Sequence, residues 1–182
     1  METPRSNSVF ALAALEHIDA LYSYAMTLTR DKSEAEDLVQ ETYLRAVRAA
    51  NQPATAGNLK AWLFVVMRNA WLNIARHKQH GLRLFQFEGA EPVDGVANDA
   101  SSNPHVVYLR KLERQQIHDA IDTLPDAYRE IVVLRDLEGF SYHEIATVLN
   151  CPAGTVMSRL GRARGKLREV LSQRQKVHRL YG

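Results

Sequence analysis

From Ala153 to Gly182 the chain carries eight bases, among them Arg159, Arg162, Arg164, Lys166 and Arg168, against one acid, Glu169. Such groups neutralise phosphates, and an arginine can also pair bidentately with the exposed edge of guanine. Thr155 and Ser158 add hydroxyls just ahead of them, where the first backbone amides of a helix can also hold phosphate. The elements that must position these groups are legible in the apolar residues. Val156, Leu160, Ala163, Leu167 and Val170 or Leu171 recur in steps of four and three, which makes one buried stripe and turns the basic residues outward. Upstream, Ile145, Ala146 and Leu149 face inward on a shorter helix, and Asn150-Cys151-Pro152 with Gly154 stops one helix and starts another. Ser141 to Lys166 therefore reads as a helix-turn-helix whose second helix enters the major groove. The alternative is a solvated basic helix in an ordinary bundle; the Gly/Pro-marked turn favours DNA.

Charge is unevenly distributed although the formal net charge is only +2. Between Lys60 and Phe87 there is no acid, while Lys60, Arg68, Arg76, Lys78 and Arg83 are basic. Between Glu16 and Glu41, seven acids (Glu16, Asp19, Asp31, Glu34, Glu36, Asp37, Glu41) face only Arg30 and Lys32. Two separated basic regions and one acidic region imply two nucleic-acid contacts and one contact of another kind.

With 182 residues and 46% hydrophobic content, the chain can bury a core as one domain or two small ones. Cys151 is the only cysteine, which excludes an intramolecular disulfide or a cysteine zinc cluster, and its place beside Pro152 predicts a packed turn residue. The seven histidines show no metal spacing on one helix face. No nucleophile-base set, Gly-rich phosphate loop or metal motif is present, so the expectation is no catalytic residue, no cofactor, no metal and no enzyme. Neither a signal peptide nor an apolar run of the ~18 residues a membrane span needs is seen; a cytoplasmic protein without membrane insertion is expected.

The periodicity is helical throughout, which predicts an all-α chain. Leu12, Leu15, Ile18, Leu21, Ala25 and Leu28 mark a first helix. Ser33 with Glu36 reads as a capping box for a second, marked by Ala35, Leu38, Val39, Thr42, Tyr43 and Ala46. Asn58 caps a third, which carries Leu59, Leu63, Val66, Ala70 and Ile74 to about His80; Trp62 falls on its apolar stripe and Trp71 off it. From Gly81 to Asn103, Gly, Pro, Asp, Asn and Ser accumulate, predicting an acidic flexible linker. Asn103-Pro104 then opens a helix with Val107, Leu109, Leu112, Ile117, Ala120 and Ile121, and Leu124-Pro125-Asp126 opens another with Ile131, Val132, Leu134 and Leu137, ending at Gly139. The expected organisation is two small helical domains, residues 1–80 and 104–182, joined by a linker at 81–103.

Three stretches together resemble bacterial sigma factors of the extracytoplasmic-function group, the smallest type, with only sigma regions two and four. They are DKSEAEDLVQETYLRA (Asp31 to Ala46), WLFVVMRNAWLN (Trp62 to Asn73) and LPDAYREIVVLRDLEGFSYHEIA (Leu124 to Ala146), the last continuing through CPAGTVMSRLGRAR to Arg164. The resemblance implies a subunit that directs core RNA polymerase to stress- or signal-dependent promoters and helps to melt them. It implies as partners the beta-prime and beta subunits of core polymerase, promoter DNA and an anti-sigma factor.

By resemblance, the second helix binds the beta-prime coiled coil through Asp37, Leu38, Gln40, Glu41, Tyr43, Leu44 and Arg45. The third helix would open and read the minus-ten element through Lys60, Arg68, Asn69, Trp71, Asn73, Arg76 and Lys78, a set of cations, amides and an aromatic suited to bases held out of the stack. The helix-turn-helix would read the minus-thirty-five element through Thr155, Met157, Ser158, Arg159, Arg162, Arg164 and Lys166. Asn73 stands where many relatives carry aspartate, Met157 where many carry a base, and Gly161 where a larger residue is common. The rival reading is a conventional helix-turn-helix regulator with an N-terminal sensing or dimerisation domain; it accounts for the last third of the chain but not for the basic, tryptophan-bearing third helix.

Overall fold

A computed structural model of the chain describes residues 10, 12–49, 58–81 and 115–181, with the side chains of all of these but 78–81 and 174–181. Among the described residues every regular element is helical. In chain order they are α1 (Ile18–Thr29), α2 (Lys32–Ala49), α3 (Leu59–Gly81), α4 (115–122), α5 (Asp126–Val132) running into a π-helical turn (Val133–Leu137), α6 (Tyr142–Leu149) and α7 (Ala153–Tyr181). The linker expected at 81–103 lies outside the described residues except for Gly81, and the helix expected to open at Pro104 is described only from residue 115 on.

Two local signals in the first body resolve differently from their sequence reading. The stripe from Leu12 to Leu28 does not form one helix: the backbone turns at Glu16 and His17, where the His17 N–H donates to the Ala14 carbonyl at 3.1 Å. Leu12, Leu15 and Ile18 consequently stay outside, at 67%, 49% and 43% exposure, and the stripe itself is first buried at Leu21. Likewise, α2 is capped two residues earlier than the Ser33–Glu36 pattern suggests. The Asp31 carboxylate accepts the Glu34 N–H at 2.8 Å, and an Asp ahead of the first turn both satisfies that donor and meets the positive end of the helix dipole. Asn58 does cap α3, its side-chain oxygen accepting from the Ala61 N–H at 3.2 Å.

Leu21, Tyr24, Ala25, Leu38, Ala46, Leu63, Phe64, Met67 and Ala70 form the core of α1 to α3. Thr42 is buried among them, and its hydroxyl donates to the Leu38 carbonyl at 2.7 Å, so it costs no unsatisfied group.

In the second body, Ile131, Val132, Leu134, Ile145, Val148, Leu149, Val156, Leu160 and Ala163 bring α5, α6 and α7 together. Ile117 is exposed although its spacing predicts burial; Ala120 and Ile121 are buried as expected. After α5 the Glu138 N–H donates five residues back to Val133 at 2.9 Å, and this wider turn leaves Leu137 exposed rather than in the core. Gly139 then adopts φ 77°, which a residue without Cβ reaches at no steric cost, and redirects the chain into α6. There Ser141 and Glu144 form a reciprocal capping box: the Glu144 N–H donates to the Ser141 hydroxyl at 3.2 Å, and the Ser141 N–H to the Glu144 carboxylate at 2.8 Å. Asn150, left-handed at φ 47°, ends α6, and the Pro152 carbonyl accepts from the amides of Thr155 and Val156 to begin α7.

The two bodies are packed on each other. Phe64 of α3 stacks on Tyr24 (centroids 4.8 Å apart, 20° between planes) and meets Phe140 edge-on (4.8 Å, 77°), so an aromatic column runs from one body into the other. Arg129 of α5, only 2% exposed, donates to the Leu124 carbonyl at 2.6 Å and lies 3.2 Å from Asp126; it also reaches the Thr27 carbonyl of α1 at 3.5 Å.

Candidate nucleic-acid and polymerase interfaces

Helix α2 presents a face opposite its core stripe. At 100° per residue Asp37, Gln40, Glu41 and Leu44 project away from Ala35, Leu38, Thr42 and Ala46. Asp37 and Gln40 are exposed, Glu41 and Arg45 form an i,i+4 ion pair at 2.6 Å, and Leu44 is 53% exposed in their midst. An open leucine rimmed by carboxylates and an amide suits a partner with a basic rim and an apolar centre. Two residues expected on this surface are placed otherwise. Leu38 belongs to the core, because it sits on the buried side of the helix, and Tyr43 is half-buried with its hydroxyl donating to the Ala14 carbonyl at 2.8 Å. Burial, followed by the nearby Asp19 carboxylate, raises the Tyr43 pKa above its ordinary value. Both side chains support the face rather than form it.

Helix α3 has three faces. One packs on α1 and α2 through Leu63, Met67 and Ala70; a second, about a third of a turn round the helix, exposes Asn69, Asn73 and Arg76 at i, i+4 and i+7. The third carries Lys60, Phe64 and Arg68 and is covered by the second body. Arg68 Nε lies 2.7 Å from the Glu130 carboxylate with 17% and 13% of the two side chains exposed, and Lys60 Nζ lies 2.9 Å from that of Glu138. The Tyr24 hydroxyl donates to the same Glu130 carboxylate at 2.6 Å. Burial, and then the adjacent Glu130 charge, push the Tyr24 pKa well above its ordinary value, so the phenol remains a donor. Lys60 and Arg68, read from sequence as DNA contacts, are thus occupied by carboxylates in this arrangement. Trp71 is half-buried against the core, as is Trp62, which meets Phe10 edge-on at 6.0 Å. The Lys78 side chain lies outside the described residues.

Helix α7 turns Val156, Leu160 and Ala163 inward, so that Ser158 and Arg162 stand at the centre of its outward face and Thr155, Arg159 and Lys166 on one shoulder. Ser158, Arg162 and Lys166 are exposed, Thr155 and Arg159 half-buried, and Met157 is 57% exposed on the other shoulder. Gly161, on the outward face, has open space where a Cβ would stand. Arg164 is set apart from this outward-facing group: its guanidinium holds the Asp136 carboxylate at two points, one of them 3.2 Å, which raises its pKa further and commits it to joining α7 to the π-helical turn. An open pocket of about 490 Å³ at the turn of the motif is lined by His143, Thr147, Asn150, Cys151 and Pro152.

Among the described residues no group of three or more His, Cys, Asp or Glu side chains could hold a metal, and no helix is long and apolar enough to cross a membrane. The residues that sequence reasoning missed are Tyr24, Glu130, Glu138, Phe140 and Glu144, all on the contact between the bodies. Only the Ser141–Glu144 pattern carried a local signal, that of a capping box.

The Sigma-70 region 2 family matches residues 14–81 and the Sigma-70, region 4 family residues 114–167. The chain is 34% identical over 158 residues to the ECF RNA polymerase sigma factor EcfG of Rhodopseudomonas palustris, covering 86% of this chain and 82% of that protein. It is 32% identical over 166 residues to the RNA polymerase sigma-H factor of Pseudomonas aeruginosa, covering 89% and 86%. Among solved structures, the sigma factor RpoE of Bartonella quintana, crystallised with the anti-sigma factor NepR, superposes with a TM-score of 0.72 at 30% identity, covering 90% of this chain and 96% of that one. The outward amides of α3, the cationic face of α7 and the carboxylate-rimmed leucine of α2 thus sit on a chain that belongs to the extracytoplasmic-function sigma factors of RNA polymerase, promoter-specific subunits of transcription initiation.

Proposed function

We propose that the three exposed faces divide the work of initiation. The α2 face, with Asp37, Gln40, Glu41, Leu44 and Arg45, docks on core polymerase through the beta-prime subunit. The outward face of α3, with Asn69, Asn73 and Arg76, takes the bases of the opened minus-ten element, joined by Lys60 and Arg68 once the second body has moved away. The outward face of α7, with Arg162 and Ser158 at its centre and Thr155, Arg159 and Lys166 beside them, reads the minus-thirty-five duplex. Residues 1–80 and 104–182 are the two working domains and 81–103 the tether that lets them reach both elements. The chain itself makes and breaks no covalent bond and works in the cytoplasm, where its polymerase is.

The observation that carries this reading is the geometry of α3: Asn69, Asn73 and Arg76 share one exposed face distinct from the buried core residues Leu63, Met67 and Ala70. Amides and a guanidinium facing outward on a rigid helix can hold unpaired bases and their phosphates, whereas a sensing or dimerisation domain has no use for that set. The Bartonella relative was solved with an anti-sigma factor, and a protein of that kind covering the α2 face is the natural restraint on this chain. Run-off transcription with core polymerase on a library randomised at both promoter elements tests the division. Selection at two elements is expected; selection at the upstream element alone would contradict it.

A further inference from the structure

Met157 has no part in the division just given, and a role for it rests on the reading of α7 as the helix that enters the upstream duplex. Among the described residues of the second body it is the most exposed large apolar side chain, at 57% against 46% for Ile117 and 43% for Leu137. It stands on the shoulder of α7 away from Thr155, Arg159 and Lys166, four residues after Ala153 opens the helix. One turn before it and one turn after it on the same side are Gly154 and Gly161, and a Cβ at either would meet only open space. Met157 therefore finds no side chain at these positions to pack against, and its unbranched thioether chain is free to reach outward. The nearest cation along that side, Arg164, is two turns on and held by the Asp136 carboxylate. At its groove-entering end this shoulder thus offers no charge and only the weak acceptor of a thioether.

An exposed apolar group gains by covering another apolar surface, and the major groove presents one, the 5-methyl group of thymine. Phosphates and the polar edges of the other bases gain little from a thioether. We propose that Met157 is a specificity-determining residue, which selects a thymine in the upstream element by covering its 5-methyl group. The first turns of a recognition helix are the part that reaches base edges, and residue 157 begins the second. Readout is then divided across the helix: Arg162 and its neighbours answer to hydrogen-bonding edges and phosphates, Met157 to a methyl group alone. Because that contact releases no counterions, it adds sequence preference without the salt dependence that the cations bring.

The test uses holoenzyme assembled from core polymerase and the full-length chain, on a promoter that the wild type selects from a library randomised at both elements. Each thymine of the upstream element, on either strand, is replaced in turn by deoxyuridine, which removes the methyl and keeps the pairing edge. Replacement at one position is expected to weaken promoter binding about fourfold, the worth of one buried methyl group, read by competition against a fluorescein-labelled promoter duplex. Met157→Ala should bind the thymine and deoxyuridine templates equally at that position, and the volume-conserving Met157→Leu should restore the difference. A wild type indifferent to every deoxyuridine, an upstream element without thymine, or undiminished sensitivity in Met157→Ala overturns the proposal. So does a Met157→Ala variant whose loss lies in binding core polymerase, since Met157 would then face protein. Absence of any upstream selection would overturn the reading of α7 and the role of Met157 with it, whereas upstream selection without methyl sensitivity overturns the proposal alone.

Discussion

Arg68 of α3 and Glu130 of α5, 62 residues apart in the chain, form an ion pair at 2.7 Å that joins the two bodies, and the Tyr24 hydroxyl donates to the same carboxylate at 2.6 Å. A buried phenol with a charged acceptor is worth more than a neutral hydrogen bond, while its loss leaves Glu130 with only Arg68. Tyr24→Phe is expected to lower the stability of the free protein by about 1–2 kcal/mol with little change in helix content, read by urea denaturation followed by circular dichroism. An unchanged midpoint would show that the phenol does not hold the bodies together.

Glu144 carries a pH-dependent share of the stability. Hydrogen bonds from the Ser141 N–H and hydroxyl, the largest effects, and then from the Asn58 amide, hold its carboxyl below the ordinary carboxylate range. A lowered folded value means that the ionised form is favoured in the fold. The contribution is therefore full above the ordinary carboxylate pKa and is lost as pH falls through the lowered one. Glu144→Ala is expected to cost about 1 kcal/mol at pH 7, with the difference from wild type shrinking on acidification through the carboxylate range; thermal melts at a series of pH values measure it. A difference independent of pH would assign the cost to packing instead.

Promoter selectivity separates the two faces proposed to contact DNA. Arg162→Ala, at the centre of the α7 face, is expected to reduce selection at the upstream element, by about 1–3 kcal/mol if it reads a base, and Arg159→Ala on the shoulder should do so more weakly. Asn69→Ala should relax selection at the downstream element and leave the upstream one intact. The randomised library scores all three variants, and a variant that changes selection at the wrong element refutes its assignment.

Replacing Asp37 and Glu41 together with alanine is expected to weaken holoenzyme assembly at least about tenfold while leaving the thermal melt within about 1 kcal/mol of wild type, since both sit on the outward side of α2. Fluorescence titration of labelled protein with core polymerase gives the first quantity. Undiminished assembly would move the polymerase contact elsewhere, with the exposed Leu12, Leu15 and Ile18 the next candidates.

Much of this arrangement is legible in the sequence because it depends on residues three or four apart. The inward stripe Val156, Leu160 and Ala163 and the Asn58 cap are both found where their spacing puts them. Competing local signals are harder: Asp31 and Ser33 are both good caps, and the structure uses the earlier one. A turn such as Glu16-His17 is invisible to a periodicity that reads straight through it. The pairing of Arg68 with Glu130 and of Lys60 with Glu138 could not be read at all, since each residue alone is an ordinary charged helix position and only the packing of one body on the other selects its partner. Hence the outward-facing amides of α3 were recognisable, and the occupation of its cations was not.

As a sigma factor, this chain makes core polymerase promoter-specific. Run-off transcription with sigma-free core polymerase on its own upstream DNA, or on the randomised library, tests this most directly. Discrete transcripts that appear only when the protein is added, and that map to templates sharing an upstream and a downstream element, are the predicted result. Transcripts unaffected by the protein, or operator binding by the protein alone with no change in initiation, would contradict it.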